Sequence, residues 1–88
     1  MQVWSIYIVR CSDNSFYTGI ATDVKKRIKR HNDGKGSKYT RSHRPVKLMY
    51  TEKFDNKLDA SKREIEIKKL SVINKCKLIG RFPSADSF

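Results

Sequence analysis

The first hydrophobic stretch of the chain is typical of a β-strand that lies inside a sheet. In residues 3–10 apolar side chains occupy both faces of an extended chain, since Val3, Tyr7 and Val9 alternate with Trp4, Ile6 and Ile8. A strand that is apolar on both faces is expected at a central position rather than at an edge. Turn-forming residues at 12–15 and a second apolar run over residues 16–20 complete a predicted antiparallel hairpin.

Gly19 stands inside the second strand of this hairpin, where glycine normally weakens the strand. If odd-numbered positions pair with odd-numbered positions, then Tyr7, Val9, Tyr17 and Gly19 share one face of the sheet. The missing side chain at Gly19 would then leave a hollow beside the two phenol rings. A β-bulge at the end of the strand is the other structural reason for this glycine, and the two are compatible.

A helix is predicted over residues 24–32, directly after the hairpin. Thr22 or Asp23 is its expected N-cap, and Gly34 is the expected terminating residue. The following residues, 33–45, show no periodicity and are predicted to form a loop.

Two side chains with useful chemistry border the apolar stripe of that helix. Val24 and Ile28 form the stripe, whereas Arg27 and His31 are four residues apart and stack on an adjacent face. We therefore expect Arg27 and His31 at the edge of the buried side, close to the sheet.

A third strand is predicted over residues 46–54. Its alternation places Val46, Leu48 and Tyr50 on one face and more polar residues on the other. The third strand is therefore expected to be half exposed.

Two helices are predicted in the last part of the chain. The longer helix covers residues 57–70 and has Asp55 or Asn56 as its N-cap. Ser71 is expected to cap a shorter helix that Gly80 ends.

Glu64 is an anomaly within the longer helix. Its spacing from Ala60 and Ile67 puts all three residues on one face, although the other two are apolar. An acid inside an apolar arc must be paired, bound to a metal or neutralised. An ordinary surface pair with Lys68, four residues later, fits the spacing equally well.

Length and charge narrow the class of protein. The chain has 88 residues, which predicts one domain with a single small core. Twenty lysines and arginines stand against nine acids, which gives a formal charge of +11. Such an excess attracts polyanions, so that nucleic acid is the first expected partner and an anionic membrane the second.

The cysteines and the hydropathy exclude several other classes. Cys11 and Cys76 stand in no metal-ligand spacing with the two histidines, which argues against a zinc site. The sequence contains no apolar run long enough to span a membrane and no signal-peptide pattern. We therefore expect a cytoplasmic protein with reduced thiols and no membrane partner.

The basic residues concentrate in the middle of the chain. Between Lys25 and Arg44 there are nine lysines and arginines but one acid, Asp33, and the rings of Tyr39 and His43 lie among them. Cations meet phosphates and rings stack on bases, so this pattern favours nucleic-acid binding, although a flexible charged loop would show the same pattern. The candidate nucleic-acid-binding residues are Lys26, Arg30, Lys35, Lys38, Tyr39, Arg41 and Arg44.

Taken together, these residues resemble the GIY-YIG nuclease domain, and in particular its small single-domain bacterial members. Tyr7-Ile8-Val9 resembles the first half of the motif, with Ile6 where the family often has glycine, and Tyr17-Thr18-Gly19 resembles the second half. Further along, Arg27 is similar to the family's helix arginine, His31 to the histidine or tyrosine one turn later, Glu64 to the metal-binding glutamate, and Asn74 to a polar residue of some members. The resemblance covers about residues 3–80.

The resemblance implies an α+β fold in which helices flank a three-stranded antiparallel sheet. We expect this domain over residues 1–80 and a loose tail over residues 81–88. The implied activity is that of a metal-dependent endonuclease that hydrolyses phosphodiester bonds of nucleic acid, with DNA preferred and DNA repair or recombination as the setting. One Mg²⁺ or Mn²⁺ ion is the implied cofactor. Neither an obligatory protein partner nor an oligomer is expected.

The resemblance also implies roles for individual residues. Glu64 would hold the metal ion, and Arg27 would bind two phosphate oxygens through its forked guanidinium. Tyr7 is the first choice for activating water, either through a lowered pKa or by passing its proton onward. Tyr17 and His31 would orient the water and the phosphate, and His31 is the alternative base.

Two other functions remain open at this point. One is a non-catalytic nucleic-acid-binding module that keeps the fold and its positive face. The other is an RNA-binding or ribosome-associated protein. The complete set of Tyr7, Tyr17, Arg27, His31 and Glu64 favours the nuclease.

Overall fold

A computed structural model describes residues 3–80 of the chain. The elements are β1 Trp4–Arg10, β2 Phe16–Ala21, α1 Val24–Asn32, α2 Lys38–Ser42, β3 Lys47–Phe54, α3 Lys57–Lys68 and α4 Val72–Ile79. The strands form one antiparallel sheet in the order β2-β1-β3. The α+β fold is confirmed, and β1 is central, as its two apolar faces predict.

The sheet separates two hydrophobic clusters. We call the side that carries Tyr7 and Val9 the α1 face, because Val24 and Ile28 of α1 pack against its buried residues. The opposite side is the α3 face. Its buried residues are Ile6, Ile8, Ala60 and Ile67. The alternation along β1 thus distributes its side chains between two cores.

The hairpin pairs in the predicted register. Tyr7 lies opposite Gly19, and Val9 lies opposite Tyr17, so the four residues share the α1 face. The pairing of β1 with β2 is regular over its whole length, and Gly19 is therefore not part of a β-bulge.

The prediction that Leu48 and Tyr50 share a face is wrong. The pairing of β1 with β3 shifts between Ile8 and Val9, which lie opposite Tyr50 and Leu48. This irregularity inserts one residue into β3 and reverses the alternation. Leu48 consequently packs on the α1 face, whereas Tyr50 packs on the α3 face.

Side-chain caps begin the three longer helices, as predicted. Asp23 accepts a hydrogen bond from the backbone N–H of Lys26, and Asn56 and Ser71 do the same for α3 and α4. Gly34 has a φ of 81°, a left-handed conformation that suits the residue after a helix. The helix predicted over residues 57–70 is two residues shorter in the structure, since α3 ends at Lys68.

The prediction of a structureless loop over residues 33–45 is also wrong. Ser37 caps the short helix α2 by accepting a hydrogen bond from the backbone N–H of Thr40. One turn of helix has too few positions to show an apolar period, and its one buried residue, Thr40, is polar.

Three further expectations concern the cysteines, membrane-spanning helices and the C-terminal tail. Cys11 and Cys76 are both free thiols, the first buried and the second exposed. Among residues 3–80 no helix combines the length and the apolar character that a membrane span requires. The predicted loose tail over residues 81–88 lies outside the described residues.

Candidate active site on the α1 face

Three buried polar side chains form a continuous chain of hydrogen bonds on the α1 face. The hydroxyl of Tyr7 lies 2.9 Å from Nε2 of His31, and Nδ1 of His31 lies 2.7 Å from Oγ1 of Thr40. Tyr7, His31 and Thr40 are 1%, 2% and 0% exposed. Buried polar groups that are fully paired hold one another in a single geometry. This chain of hydrogen bonds joins β1, α1 and α2.

Two glycines make room for this chain. A Cβ atom at Gly19 would lie 2.5 Å from the hydroxyl oxygen of Tyr7, and one at Gly36 would lie 2.1 Å from Nδ1 of His31. The hollow predicted beside Gly19 therefore exists, and the phenol of Tyr7 fills it. Gly36 likewise leaves the space that the imidazole ring of His31 occupies.

The surroundings of Thr40 assign the proton positions along the chain. The Thr40 hydroxyl donates to the backbone carbonyl of Ser37 at 3.1 Å. With the single Thr40 proton directed at this carbonyl, Nδ1–H of His31 is the donor to Thr40 Oγ1. Nε2 of His31 then carries the lone pair and accepts the proton of the Tyr7 hydroxyl.

Burial shifts the pKa values of both rings so that each is neutral near pH 7. Burial, with a smaller contribution from Tyr17, raises the pKa of Tyr7 to about 12. Burial and the nearby charges of Arg27 and Arg30 lower the pKa of His31 below its usual value. Arg27 acts to lower the pKa of Tyr7, but the effect of burial is larger. The protein groups around Tyr7 thus raise its pKa on balance, which favours the route in which Tyr7 passes its proton onward.

A basic cleft of about 520 Å³ opens beside this chain of hydrogen bonds. The side chains that give it its chemistry are Tyr17, Lys26, Arg27, Arg30, His31 and Lys35. Four of the six are cationic, and Asp23 is the one acid in the lining. Such a cleft concentrates anions, and a phosphate group matches its guanidinium donors.

Arg27 is exposed within this cleft. Its guanidinium makes a long hydrogen bond, 3.5 Å, to the carbonyl of Ile20, and a side-chain hydrogen bond to the Tyr7 hydroxyl. Most of its donors are therefore available to an incoming anion. Arg27 lies close to the sheet, as predicted, but is exposed, whereas His31 lies deeper than predicted.

Of the remaining basic candidates, some are exposed on the surface and one makes hydrogen bonds that hold the fold together. Lys38 and Arg41 are exposed on α2. Arg44 donates to the carbonyls of Arg41 and Asn32, at 3.2 Å and 3.4 Å, and so ties the end of α1 to α2. Arg44 therefore has a structural task that the sequence did not indicate.

Glu64 lies at the margin of the site and has a partner. Its carboxylate is 3.4 Å from the ammonium of Lys68, and its side chain is 21% exposed. Its negative charge contributes to the raised pKa of Tyr7, which places Glu64 within electrostatic reach of that hydroxyl. Among residues 3–80 no cluster of three or more histidines, cysteines, aspartates or glutamates could hold a metal ion. A metal ion there would therefore be held by at most two such side chains of the described residues.

Asn74 is not brought into the site. It is exposed on α4, and its backbone N–H donates to the Ser71 hydroxyl that caps the helix. Neither the basic cleft nor the neighbouring cleft described below has Asn74 in its lining. Its neighbour Lys75 lies in the second of these clefts.

Sequence reasoning missed Thr40 and Gly36. The cap spacing of Ser37 and Thr40 was a usable signal for a turn of helix. The contact between Thr40 and His31, nine residues apart, depends on how α2 folds back over α1. No local pattern indicates that contact.

Comparison with known proteins gives several matches. A family model described as the GIY-YIG catalytic domain matches residues 3–76. A UPF0213 protein of Staphylococcus saprophyticus is 58% identical over 74 residues, which cover 84% of this chain and 90% of that protein. A UPF0213 protein of Halobacterium salinarum is 52% identical over 66 residues, covering 75% of this chain and 86% of that protein.

Two solved structures are also similar. The solution NMR structure of a UPF0213 protein from Bacillus halodurans has a TM-score of 0.58 and 45% sequence identity, and the match covers 89% of this chain and 83% of that one. The solution NMR structure of a protein from E. faecalis has a TM-score of 0.62 and 37% identity, with 93% and 88% coverage. Both likenesses extend over nearly the whole fold.

Proposed function

The chain belongs to the GIY-YIG catalytic domain family and to its UPF0213 members, and we propose that it is an endonuclease that hydrolyses phosphodiester bonds of nucleic acid, with DNA preferred. One observation carries the proposal. The buried Tyr7–His31 hydrogen bond lies beside a cleft with four cationic side chains. A neutral proton-accepting pair beside an anion site is what phosphodiester hydrolysis requires.

The basic cleft binds the scissile phosphate. Arg27 places two donors on two phosphate oxygens, which a lysine cannot do with one ammonium. Arg30 and the lysines of the cleft neutralise the neighbouring phosphates. Binding there is electrostatic and weakens as the salt concentration rises.

Tyr7 activates the attacking water and His31 receives the proton. Both ring nitrogens of His31 are already hydrogen bonded, so the imidazole has no lone pair free for water. The oxygen of Tyr7 retains one. When Arg27 moves onto the phosphate, a water takes its place beside the Tyr7 hydroxyl. That water gives a proton to Tyr7 as Tyr7 gives its own to Nε2, and the resulting hydroxide attacks phosphorus while the leaving oxygen departs and is protonated by solvent.

The residues present fit a single Mg²⁺ or Mn²⁺ ion in the complex with substrate. Mg²⁺ is commonly held by one or two carboxylates together with substrate phosphates and waters, and Glu64 supplies one carboxylate. Such an ion stabilises charge on the phosphoryl and leaving oxygens. Lys68 must release Glu64 for this to occur, and the released ammonium is then free to pair with a phosphate.

Cleavage of labelled nucleic acids tests this function. Single-stranded, duplex, flapped and branched DNA, and RNA, are incubated with the protein in Mg²⁺ or Mn²⁺. We expect cutting that Glu64→Gln and Arg27→Ala each reduce strongly. Arg27→Lys separates the forked geometry from charge alone, and Lys25→Ala, on the exposed surface of the same helix, is the matched control for losing one positive charge.

Two results would contradict the proposal. Cutting that is undiminished in Arg27→Ala would come from another site or from a contaminant. Cutting that survives in Glu64→Gln would remove the metal-binding role of that residue.

The Glu64–Lys68 ion pair supports a second candidate function. A carboxylate already paired with an ammonium is a weaker metal ligand, which fits a nucleic-acid-binding module without catalysis. Tight, salt-dependent binding with no cleavage of any substrate would establish this alternative.

A further inference from the structure

Tyr17 lines a second cleft as well as the basic one. This aromatic cleft has a volume of about 350 Å³ and collects side chains from β2, α2, α3 and α4. Its lining residues are Phe16, Tyr17, Thr18, Tyr39, Lys68 and Lys75. Tyr17 thus lies between the aromatic cleft and the basic cleft, in which we place the scissile phosphate.

Tyr39 holds an exposed ring in a fixed orientation within the aromatic cleft. Its ring is nearly parallel to that of Tyr17, with centroids 6.1 Å apart, and it stacks on His43 at 4.1 Å. The Tyr39 hydroxyl donates to Ser15, and His43 lies 3.4 Å from the carboxylate of Asp13. Although these contacts fix it, Tyr39 remains 40% exposed.

The two lysines supply the charge that an aromatic surface alone would lack. Lys75 lies on α4, and Lys68 is the residue that Glu64 would release on binding a metal. Rings for stacking together with cations for the backbone are the two components of a single-strand binding site. The mechanism proposed above uses neither Tyr39 nor Lys75.

We propose that the aromatic cleft is a subsite for an unpaired nucleobase adjacent to the phosphate in the basic cleft. The inference rests on the proposed function and deepens it, because it specifies the substrate. A base within a duplex has both faces covered by its stacked neighbours and cannot present one to Tyr39. The substrate is therefore single-stranded at the site of cleavage, or has a nucleotide turned out of the helix.

Binding measured in EDTA tests the subsite independently of catalysis. The probes are a short fluorescent thymidine oligonucleotide, the same backbone with every base replaced by an abasic residue, and a duplex of the same length. Fluorescence anisotropy reports the dissociation constants. We expect the thymidine strand to bind on the order of 10- to 100-fold more tightly than the abasic strand, because stacking on a ring contributes a factor of that size.

Substitutions at Tyr39 show whether its ring is the cause. Tyr39→Leu keeps an apolar side chain but removes the aromatic face, and we expect it to abolish most of the difference between the two strands. Tyr39→Phe keeps the ring and should keep the difference. Lys53→Ala removes a charge from the exposed surface of β3 and should leave the ratio of the two affinities unchanged. Circular dichroism verifies that each variant is folded.

The outcomes separate this inference from the proposed function. The subsite would be overturned if the ratio of the affinities for the thymidine and abasic strands were equally large in Tyr39→Leu and in the unaltered protein. Equal binding of the two strands by the unaltered protein would also overturn it. Tighter binding of duplex than of the single strand would also overturn it. Binding in EDTA is independent of catalysis, because a metal-dependent nuclease cannot cut there. A base effect in EDTA, together with no cleavage of any substrate in Mg²⁺ or Mn²⁺, would refute the nuclease and leave the subsite standing.

Discussion

The two faces of the sheet are held together in different ways, although the same strand supplies both. On the α3 face the buried side chains are apolar: Ile6, Ile8, Ala60 and Ile67. On the α1 face apolar packing surrounds a hydrogen-bonded chain of Tyr7, His31 and Thr40.

The two faces place different requirements on their side chains. Apolar burial is non-directional and is proportional to area, so the α3 face needs only the right volume. The α1 face must satisfy each buried donor and acceptor, and among the described residues no buried side-chain polar atom lacks a partner. The buried polar chain beside a cationic cleft thus lies on the face where we propose the catalytic site, whereas the other face is held by apolar packing alone.

The largest expected effect separates the faces by activity. Tyr7→Phe keeps the ring but removes the hydroxyl, and we expect cleavage to fall by about 10²- to 10⁴-fold, the usual range for losing a general acid–base group. The free energy of unfolding should fall by only about 1–3 kcal/mol, because Nε2 of His31 loses its partner. Steady-state cleavage rates and urea unfolding measure the two quantities. A rate within a few-fold of the unaltered protein would remove Tyr7 from the mechanism.

Substitution of Ile8, which follows Tyr7 in β1 and lies on the opposite face, should reduce stability strongly and leave cleavage unchanged. Ile8 is fully buried, and Ile8→Ala should reduce the free energy of unfolding by about 2–5 kcal/mol by leaving a cavity. We expect cleavage per folded molecule to remain unchanged, measured at a temperature at which unfolding curves show the variant to be native. A large loss of rate in fully folded protein would mean that the two faces are coupled.

Thr40→Val tests whether the end of the buried chain positions His31. Valine has nearly the same shape without the hydroxyl, so Nδ1–H of His31 is left unpaired, and we expect a loss of stability of about 1–3 kcal/mol. The pH profile of cleavage should also shift, because the orientation and tautomer of the imidazole change. Thr40→Ser should restore the profile.

Thr51→Val is the matched control for that shift. Thr51 donates a hydrogen bond to the carbonyl of Ile6 at 2.9 Å, outside the Tyr7–His31–Thr40 chain. Its loss should affect stability and leave the pH profile in place. If both valine variants shift the profile equally, Thr40 has no special role.

The smallest expected effect is a pH dependence of stability from His31. Its pKa is lowered in the folded protein, so between that value and the unfolded value near 6.5 the unfolded chain binds more protons. The free energy of unfolding should therefore fall as the pH drops from 7 through this window, by at most about 1.4 kcal/mol per pH unit. His31→Gln should flatten the curve from urea unfolding, and an unchanged slope would contradict the assigned cause.

Tyr7 acts at the opposite end of the pH scale. Its folded pKa is about 12, whereas the unfolded phenol ionises near 10, so stability should fall as the pH rises above 10. The same urea series, extended to alkaline pH, compares the protein with Tyr7→Phe.

Much of the fold was predictable because its signals are local. The two apolar faces of β1 indicated a central strand, and Asp23, Asn56 and Ser71 stand at the predicted caps. The pairing of Tyr7 with Gly19 followed from the side-chain period of two. Two of the errors, the helix α2 and the reversed face of Tyr50, arise where one turn of helix or one extra residue breaks a period.

The sequence indicated some of the residues of the candidate site but not its geometry. The sequence singled out Tyr7, Arg27 and His31, and the structure brings all three together. The sequence left the partner of Glu64 open, and the structure pairs it with Lys68.

The sequence by itself determined the strand and helix pattern, the positive charge and the residues from which a site could be built. Only the tertiary structure decided that His31 is neutral and buried between Tyr7 and Thr40, that Gly36 makes room for the His31 ring, and that Tyr17 divides two clefts. The physical reason is that pKa values, hydrogen-bond partners and clefts depend on distances between residues that are far apart in the chain. Local periodicity carries no information about those distances.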